Sequence, residues 1–452
     1  MAETITQTDQ NDRRPTIDTG APVPVAVEYV EGQLMELWRD VAEAAQTKGG
    51  VHAVTMTQVL NLIVHAEDYA VGNGYITDID MITGRHPCRV ILMYTDPHEA
   101  EMPVQAWVSI HCQVPPAGGR QVCCEQVSVS AGGSAIRQIP AAVIPIVMSD
   151  LPVFLWWPEG SPFDDYIFRQ LSDILDRLIV DSSMFDNVEG TLAKMASRMK
   201  VDWPKMACTD MNWGRLTPWR EIIAQFFDAP TTRPYLDRIG RVTINYALSE
   251  RGGANRAQGL MLAGWLASRL KWEPADPVHE LIHNEDGLPP CTRLTLRVGK
   301  RIITINLEPI SRRSGTPGDL DSITMEVPGA DPNGPPEASF TVALSDKQDE
   351  CAITTVQIEG AAPATHTIQL QTPDRAELLN GELEVFSHDR VYEEALECVG
   401  AFIKGVTHHG SIQPERKMTT GEPISAAQRP RMPQAPQTPQ PPQGPPKGSH
   451  LD

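Results

Sequence analysis

Residues 149–183 read S-D-L-P-V-F-L-W-W-P-E-G-S-P-F-D-D-Y-I-F-R-Q-L-S-D-I-L-D-R-L-I-V-D-S-S, and this stretch decides the fold class. Leu151 to Trp157 is a continuous apolar run closed by Pro158 and Gly160, the signature of a strand buried on both faces. Ser161 offers an N-cap oxygen, and Pro162 stands where a first helical residue tolerates a missing N–H. Phe163, Ile167, Leu171, Ile174, Leu175 and Leu178 then recur at helical spacing, with Asp164 and Asp165 at the positive end of the helix dipole. Leu178 to Val180 begins a second strand. The whole predicts a βαβ unit, whose crossover covers a parallel sheet.

The loop of this unit, P-E-G-S-P, has two prolines, an acid and one glycine. A phosphate needs converging N–H groups on a glycine-rich turn, and neither G-x-G-x-x-G nor G-x-x-x-x-G-K-[ST] is present here. The unit therefore reads as scaffold. Working outward, Val59–His65 and Cys88–Tyr94 are strand candidates, while Ala66–Arg85 is ambiguous because N-G-Y interrupts a weakly helical pattern. Val104–Val114 and Gln121–Ser130 are strands joined by P-P-A-G-G-R, a hairpin signature. Ile136–Met148 reads as a helix bent at Pro145.

The pattern lapses over Lys200–Asn212, and a domain boundary is expected there. Thr217-Pro218 repeats the cap-then-proline start, followed by a helix, a strand at Val242–Ala247 and a long apolar helix from about Ala254 to Leu270. From Thr292 the chain turns to short strands, with Arg293–Val298 and Arg301–Leu307 flanking a Gly299-Lys300 hairpin turn. One helix near Arg390–Lys404 closes the region. The expected organisation is a disordered arm over 1–25 and an α/β domain with a mixed sheet over 26–200. An α+β domain with a largely antiparallel sheet follows over 201–409, then a disordered proline- and glutamine-rich tail over 410–452.

The formal charge of -20 sets a surface that repels phosphate backbones and anionic lipid, so neither nucleic acid nor membrane is expected as a partner. No run of about 18 apolar residues exists. The polar N-terminus lacks an apolar signal core, which predicts a cytoplasmic protein with mostly reduced thiols among its eight cysteines.

Few constellations carry chemistry. The hairpin would bring Cys112 opposite, or one step from, Cys123 or Cys124, close enough for a reducible bridge. The plain alternative is three small apolar residues in a sheet. His111-Cys112 with Cys123-Cys124 resembles a metal set, but adjacent strand residues point to opposite faces and cannot converge. Cys351 and Cys398 are a further redox candidate pair. Arg85-His86-Pro87-Cys88-Arg89 either binds an anion at the sheet's edge or satisfies carbonyls at a loop–strand joint, the second being favoured. His65 and Asp68 are a weak acid–base pair. Arg251–Arg256 is the best anion cradle, though without a G-K-[ST] ending. Trp213, Arg215, Trp219 and Arg220, in W-G-R-L-T-P-W-R, are residue types enriched at binding hot spots and equally suited to a core.

R-H-P-C-R-V-I, S-D-L-P-V-F-L-W-W-P, L-I-V-D-S-S and W-G-R-L-T-P-W-R-E together resemble the OpcA family of glucose-6-phosphate dehydrogenase assembly proteins, over about Val51 to Lys404. The abundance of cysteine is similar to the cyanobacterial branch. The resemblance implies a protein without catalysis or cofactor of its own. It implies binding to glucose-6-phosphate dehydrogenase, promotion of its oligomerisation, and allosteric activation for the oxidative pentose phosphate pathway, linked in photosynthetic bacteria to thioredoxin. The family has no active-site motif to transfer, and which cysteines switch stays open. The alternative is an α/β enzyme that binds a sugar phosphate or nucleotide through the Arg85–Arg89 and Arg251–Arg256 loops.

Overall fold

Seven consecutive buried residues in each of two strands, and five in a third, set the centre of the molecule. In a computed structural model the described residues run from 16 to 405, apart from 20, 48–53, 56–57, 97, 99, 115–120, 249–254, 283–287, 312–317, 330–335 and 346–349. The expected arm up to residue 15, the P-P-A-G-G-R turn, Arg251–Ala254 and the tail lie outside them.

The first half of the chain contains β1 (Thr16–Thr19), β2 (Val23–Val25), α1 (Val30–Thr47), β3 (Val54–Thr55), β4 (Leu60–Ala66), α2 (Tyr69–Thr83) and β5 (Cys88–Tyr94). It continues with β6 (Met102–Val114), β7 (Gln121–Gly132), α3 (Ile139–Val143), β8 (Val153–Trp157), α4 (Tyr166–Leu171), β9 (Arg177–Val180), α5 (Val188–Asp202) and β10 (Ala207–Asp210). These strands form one mixed sheet in the order β1-β6-β7-β5-β4-β8-β9-β10, with β7 through β10 parallel and β6 antiparallel to β7. The β8–β9 pair is the parallel pair expected from residues 149–183. Its crossover is less regular than the spacing suggested. The cap is Asp165, whose carboxylate accepts from the Ile167 N–H at 2.6 Å, whereas Ser161 makes no cap bond. The helix is correspondingly short and flanked by 3-10 turns.

The ambiguous Ala66–Arg85 segment is α2, started by Asp68 accepting from the Val71 N–H at 2.8 Å. The lapse at Lys200–Asn212 holds β10, four residues long and fully buried, which adds a parallel strand at the sheet's end. A strand that short carries too little periodicity to be read.

The second half contains α6 (Met211–Arg215), α7 (Thr217–Gln225), α8 (Arg233–Leu236), β11 (Arg241–Ala247), α9 (Ala257–Leu270), β12 (Glu273–Ile282), β13 (Cys291–Val298) and β14 (Arg301–Ile310). Then come β15 (Leu320–Val327), β16 (Ala338–Leu344), β17 (Cys351–Ile358), β18 (Ala364–Gln369), α10 (Arg375–Glu384) and α11 (Arg390–Lys404). Its eight strands lie in the order β12-β13-β14-β11-β15-β16-β17-β18, antiparallel except for β11 with β14. The α/β mixed sheet and the largely antiparallel second sheet are the fold class that the pattern predicted. Gly299 takes φ +60° in the β13–β14 turn, a conformation that glycine adopts without steric cost.

Where one closing helix was expected there are two. α10 is defined by a capping box between Asp374 and Glu377, and its low amphipathicity hid it. α11 packs on both α9 and α5. Gly264 makes that approach possible, since a Cβ there would meet the Ala395 carbonyl at 2.5 Å. Arg177, 1% exposed at the start of β9, reaches Ser387 O at 2.7 Å and Glu382 at 3.5 Å, tying the C-terminal helices to the first sheet.

Candidate functional site

An open parallel sheet offers a ligand crevice where its strand order reverses, at the carboxyl ends of the strands. Here the reversal lies between β4 and β8. The crevice floor is filled rather than open. His65 at the end of β4 stacks face to face on Trp157 at the end of β8, with ring centroids 3.6 Å apart, and its Nε2 shares a hydrogen bond with Thr95 at 2.8 Å. Burial pushes the His65 imidazole down to about 3, so it is neutral at physiological pH. Asp68 is spent on the α2 cap, so the two do not form an acid–base pair.

The crevice rim is acidic. Glu67 has its carboxyl raised by burial first, then by the charges of Glu159, Asp186, Asp68 and Asp96. Tyr75 donates to Glu159 at 2.6 Å. A pyrophosphate placed here would meet carboxylates where a dinucleotide fold presents a glycine-rich turn and helix N–H groups. Among the described residues, no group of three His, Cys, Asp or Glu is placed to hold a metal. None of the described helices is long and apolar enough to cross a membrane.

Cysteine chemistry concentrates at the other side of the sheet. Cys112 on β6 lies opposite Cys123 on β7, and the two form a disulfide. The bridge is buried beneath α1, whose Trp38 packs on Ile110, Cys112 and Cys123. Cys124 points to the opposite face, as strand alternation requires. It does not compete for the bridge. It hydrogen-bonds Cys88 on the neighbouring parallel strand and donates to Thr83 O at 3.6 Å. That hydrogen bond, and then burial, hold the Cys88 thiol well above its ordinary value. Cys351 and Cys398 remain free thiols, on β17 and α11.

One charged network joins the bridge to the sheet. Trp38 Nε1 donates to Glu125 at 2.6 Å, and Arg89 Nε donates to the other oxygen of the same carboxylate at 2.6 Å. Arg89 also donates to Ile146 O at 2.7 Å and pairs with Glu31 on α1. Arg89, 4% exposed, thus satisfies internal groups at a loop–strand joint.

Residues 79–197 match the family model described as the glucose-6-phosphate dehydrogenase subunit N-terminal domain, and residues 206–396 match its C-terminal domain. Relatives that carry the name "OxPP cycle protein OpcA" align over much of the chain. The one from Nostoc punctiforme is 29% identical over 72% of this chain and 67% of its own length. That from Synechocystis is 36% identical over 43% of this chain and 39% of its own. That from Synechococcus elongatus is 26% identical over 73% and 71%.

The chain belongs to the OpcA family.

Solved structures resemble this OpcA-family chain only loosely. A 3-ketoreductase from Actinomadura kijaniata superposes with a TM-score of 0.43 at 8% identity, covering 77% of this chain and 96% of its own. An oxidoreductase from Bacillus subtilis does so with 0.41 at 10%, covering 77% and 96%. Superpositions this loose carry no argument about activity.

Of the remaining residues singled out from the OpcA-like motifs, the two tryptophans are interior and the two arginines are half-buried. Trp213 and Trp219 are each 4% exposed. Trp213 donates to Asp389 at 3.0 Å, and the Arg220 guanidinium lies 3.4 Å over its ring, where burial lowers the guanidinium to about 10. Arg215 forks both oxygens of Asp181 at 2.8 and 2.7 Å. As placed, this motif braces α6 and α7 against the sheet and α11, and it presents little surface to a partner. Arg256, the described end of the anion cradle, is spent on Glu189 at 2.9 Å and Thr292 at 2.8 Å.

Reading by motif missed Trp38, Asp210 and the pairing of Cys88 with Cys124. Asp210 sits 0% exposed at the end of β10, accepting from the N–H groups of Ser182 and Asn212 at 2.9 Å each. Burial, then the charge of Asp181, raises its carboxyl to about 7. The D-M-N-W-G-R run holds the cap-type aspartate that marks it, once β10 is recognised.

Proposed function

We propose that this chain is a non-catalytic assembly factor for glucose-6-phosphate dehydrogenase, which binds the enzyme, promotes its oligomerisation and activates it in the oxidative pentose phosphate pathway. The observation that carries the reading is the ordered match of both family domains along one chain. The acidic rim at the β4–β8 switch point is consistent with it, since clustered carboxylates disfavour a phosphate there. This feature weighs against the sugar-phosphate or nucleotide enzyme.

Activation of this kind requires tighter binding to the enzyme's active conformation than to its inactive one, about 1.4 kcal/mol for each tenfold shift. The surface for it does not include Trp213 and Trp219 as they stand. In this reading the Cys112–Cys123 disulfide is the candidate for redox control. A dithiol protein such as thioredoxin would donate two electrons and two protons, leaving two thiols here and a disulfide on itself. Because Trp38 covers the bridge, attack requires α1 to lift, and the same movement alters the face that α1 presents.

The test is to mix the purified chain with the cognate dehydrogenase, with and without reduced thioredoxin, and to measure rate, KM and oligomer size. Higher turnover or a larger oligomer supports the reading. No change in any of the three, in either redox state, removes it.

A further inference from the structure

The seam between α5 and α11 holds a cavity of about 220 Å³. Met195 and Met199 stand one turn apart on α5, and Tyr392 and Leu396 one turn apart on α11, so each helix turns one ridge toward it. Met206 and Cys208, two residues apart where the chain enters β10, share a face of the strand and form the floor. All of these but Met199 are buried. The two helices touch where Gly400 faces Ala196, since a Cβ at 400 would stand 2.6 Å from the Ala196 side chain, and that contact borders the cavity.

The mouth carries the polar groups, and they are paired. Lys200, its side chain 57% exposed, pairs with Glu397, and His388 shares a hydrogen bond with Glu393 at 2.5 Å. These are the titratable side chains on the solvent side of the lining. Farther in, burial holds the Cys208 thiol and the Tyr392 hydroxyl above their ordinary values, so both keep their protons. Of the lining side chains, Tyr392 has a buried polar atom, its hydroxyl, that lacks a hydrogen-bond partner among the described residues.

We propose that this cavity binds a neutral apolar molecule of one or two fused rings that carries a single hydrogen-bond acceptor. The size fits, since an engineered cavity of about 150 Å³ lined by apolar side chains takes up benzene. The three methionines fit the shape, because an unbranched thioether chain adapts to a ring and its sulfur packs favourably against the ring edge. The acceptor fits Tyr392, whose hydroxyl gains the partner it lacks. The same walls exclude a charged ligand, because nothing inside them would offset its loss of water.

Water over such a lining finds few groups to bond, so an apolar ligand that displaces it gains affinity. The walls come from both halves of the chain, α5 and β10 from the first and α11 from the second. A ligand held between them ties α11 to the first sheet and favours that arrangement by mass action. The cavity shares no residue with the β4–β8 crevice or with the Cys112–Cys123 bridge. The proposal is independent of the dehydrogenase reading, and the isolated chain tests it.

The experiment titrates the full chain alone with 6-fluoroquinoline, a neutral fused ring with one acceptor nitrogen, followed by fluorine NMR. A Kd below about 1 mM is expected. 4-Fluorobenzoate, a ring of similar width that is charged, should bind at least about 10-fold more weakly. Met199→Trp, at a half-buried wall position, should fill the cavity and weaken quinoline binding by about 10-fold or more. Should that variant misfold, methyl-labelled methionine in the wild-type chain replaces it. The Met195, Met199 and Met206 methyl signals must then shift with quinoline while those of the exposed Met35 and Met81 stay in place. No binding by the wild-type chain at about 2 mM overturns the proposal. So does a folded Met199→Trp variant of unchanged affinity, benzoate that binds as tightly as quinoline, or shifts confined to other methionines. A wild-type chain that takes up no quinoline, but whose Met199→Trp variant no longer binds the dehydrogenase, also overturns it and assigns the cavity to a side chain of the enzyme.

Discussion

Replacing Arg89 by methionine tests whether the charge network beneath α1 holds the first sheet. The arginine and Glu125 have side chains only 5% and 6% exposed, so their pair is screened little by water. The bond to Glu31 reaches a carboxylate 59% exposed and contributes less than about 1 kcal/mol. The substitution keeps the apolar bulk but leaves the Glu125 carboxylate with Trp38 Nε1 as its remaining side-chain donor, and it strips Ile146 O of its partner. Stranding one member of a buried pair costs about 3–5 kcal/mol. Unfolding entropy of about 2.1 cal/mol/K per residue over 452 residues converts this to a fall in Tm of roughly 3–5 °C. Scanning calorimetry at neutral pH measures it. Glu125→Gln added to Arg89→Met removes the stranded charge and should recover at least half of the loss. A single variant losing under about 1 kcal/mol, or a double variant no more stable than the single, refutes the reasoning.

Asp210→Asn should flatten the pH dependence of stability. The folded carboxyl holds its proton up to about 7, while an unfolded aspartate ionises near 4. Its contribution is therefore whole below about pH 4 and gone as pH rises through 7, at up to about 1.4 kcal/mol per pH unit. Urea melts from pH 4.5 to 8 report it, and an identical slope in the variant contradicts it. Gly264→Ala should cost about 1–3 kcal/mol, because the new Cβ collides with the Ala395 carbonyl and Val399 of α11; a neutral effect on Tm would show that the helices give way freely. Cys112→Ser with Cys123→Ser opens a loop of sequence separation 11 and should cost about 3 kcal/mol by chain entropy. Hydrogen exchange should also rise in α1, and equal protection with and without the bridge would uncouple the two.

The parallel core was legible in residues 149–183 because a strand buried on both faces writes itself as an unbroken apolar run. The hairpin that pairs Cys112 with Cys123 was legible too, since strand alternation and a short turn bring a few residues together locally. Local periodicity also marked the alternating strands of the second sheet. It failed at β10 and α10, where four residues or a weakly amphipathic turn carry too little pattern. What pairs Cys88 with Cys124, places Arg89 between Glu31 and Glu125, and turns Trp213 and Trp219 inward is the order of strands and the return of α11 onto α5. Those contacts join residues far apart in sequence, so no spacing records them. The cavity walls show both levels at once: Met195 with Met199, and Tyr392 with Leu396, are ordinary one-turn helical pairs by themselves, and only the return of α11 sets them around one space.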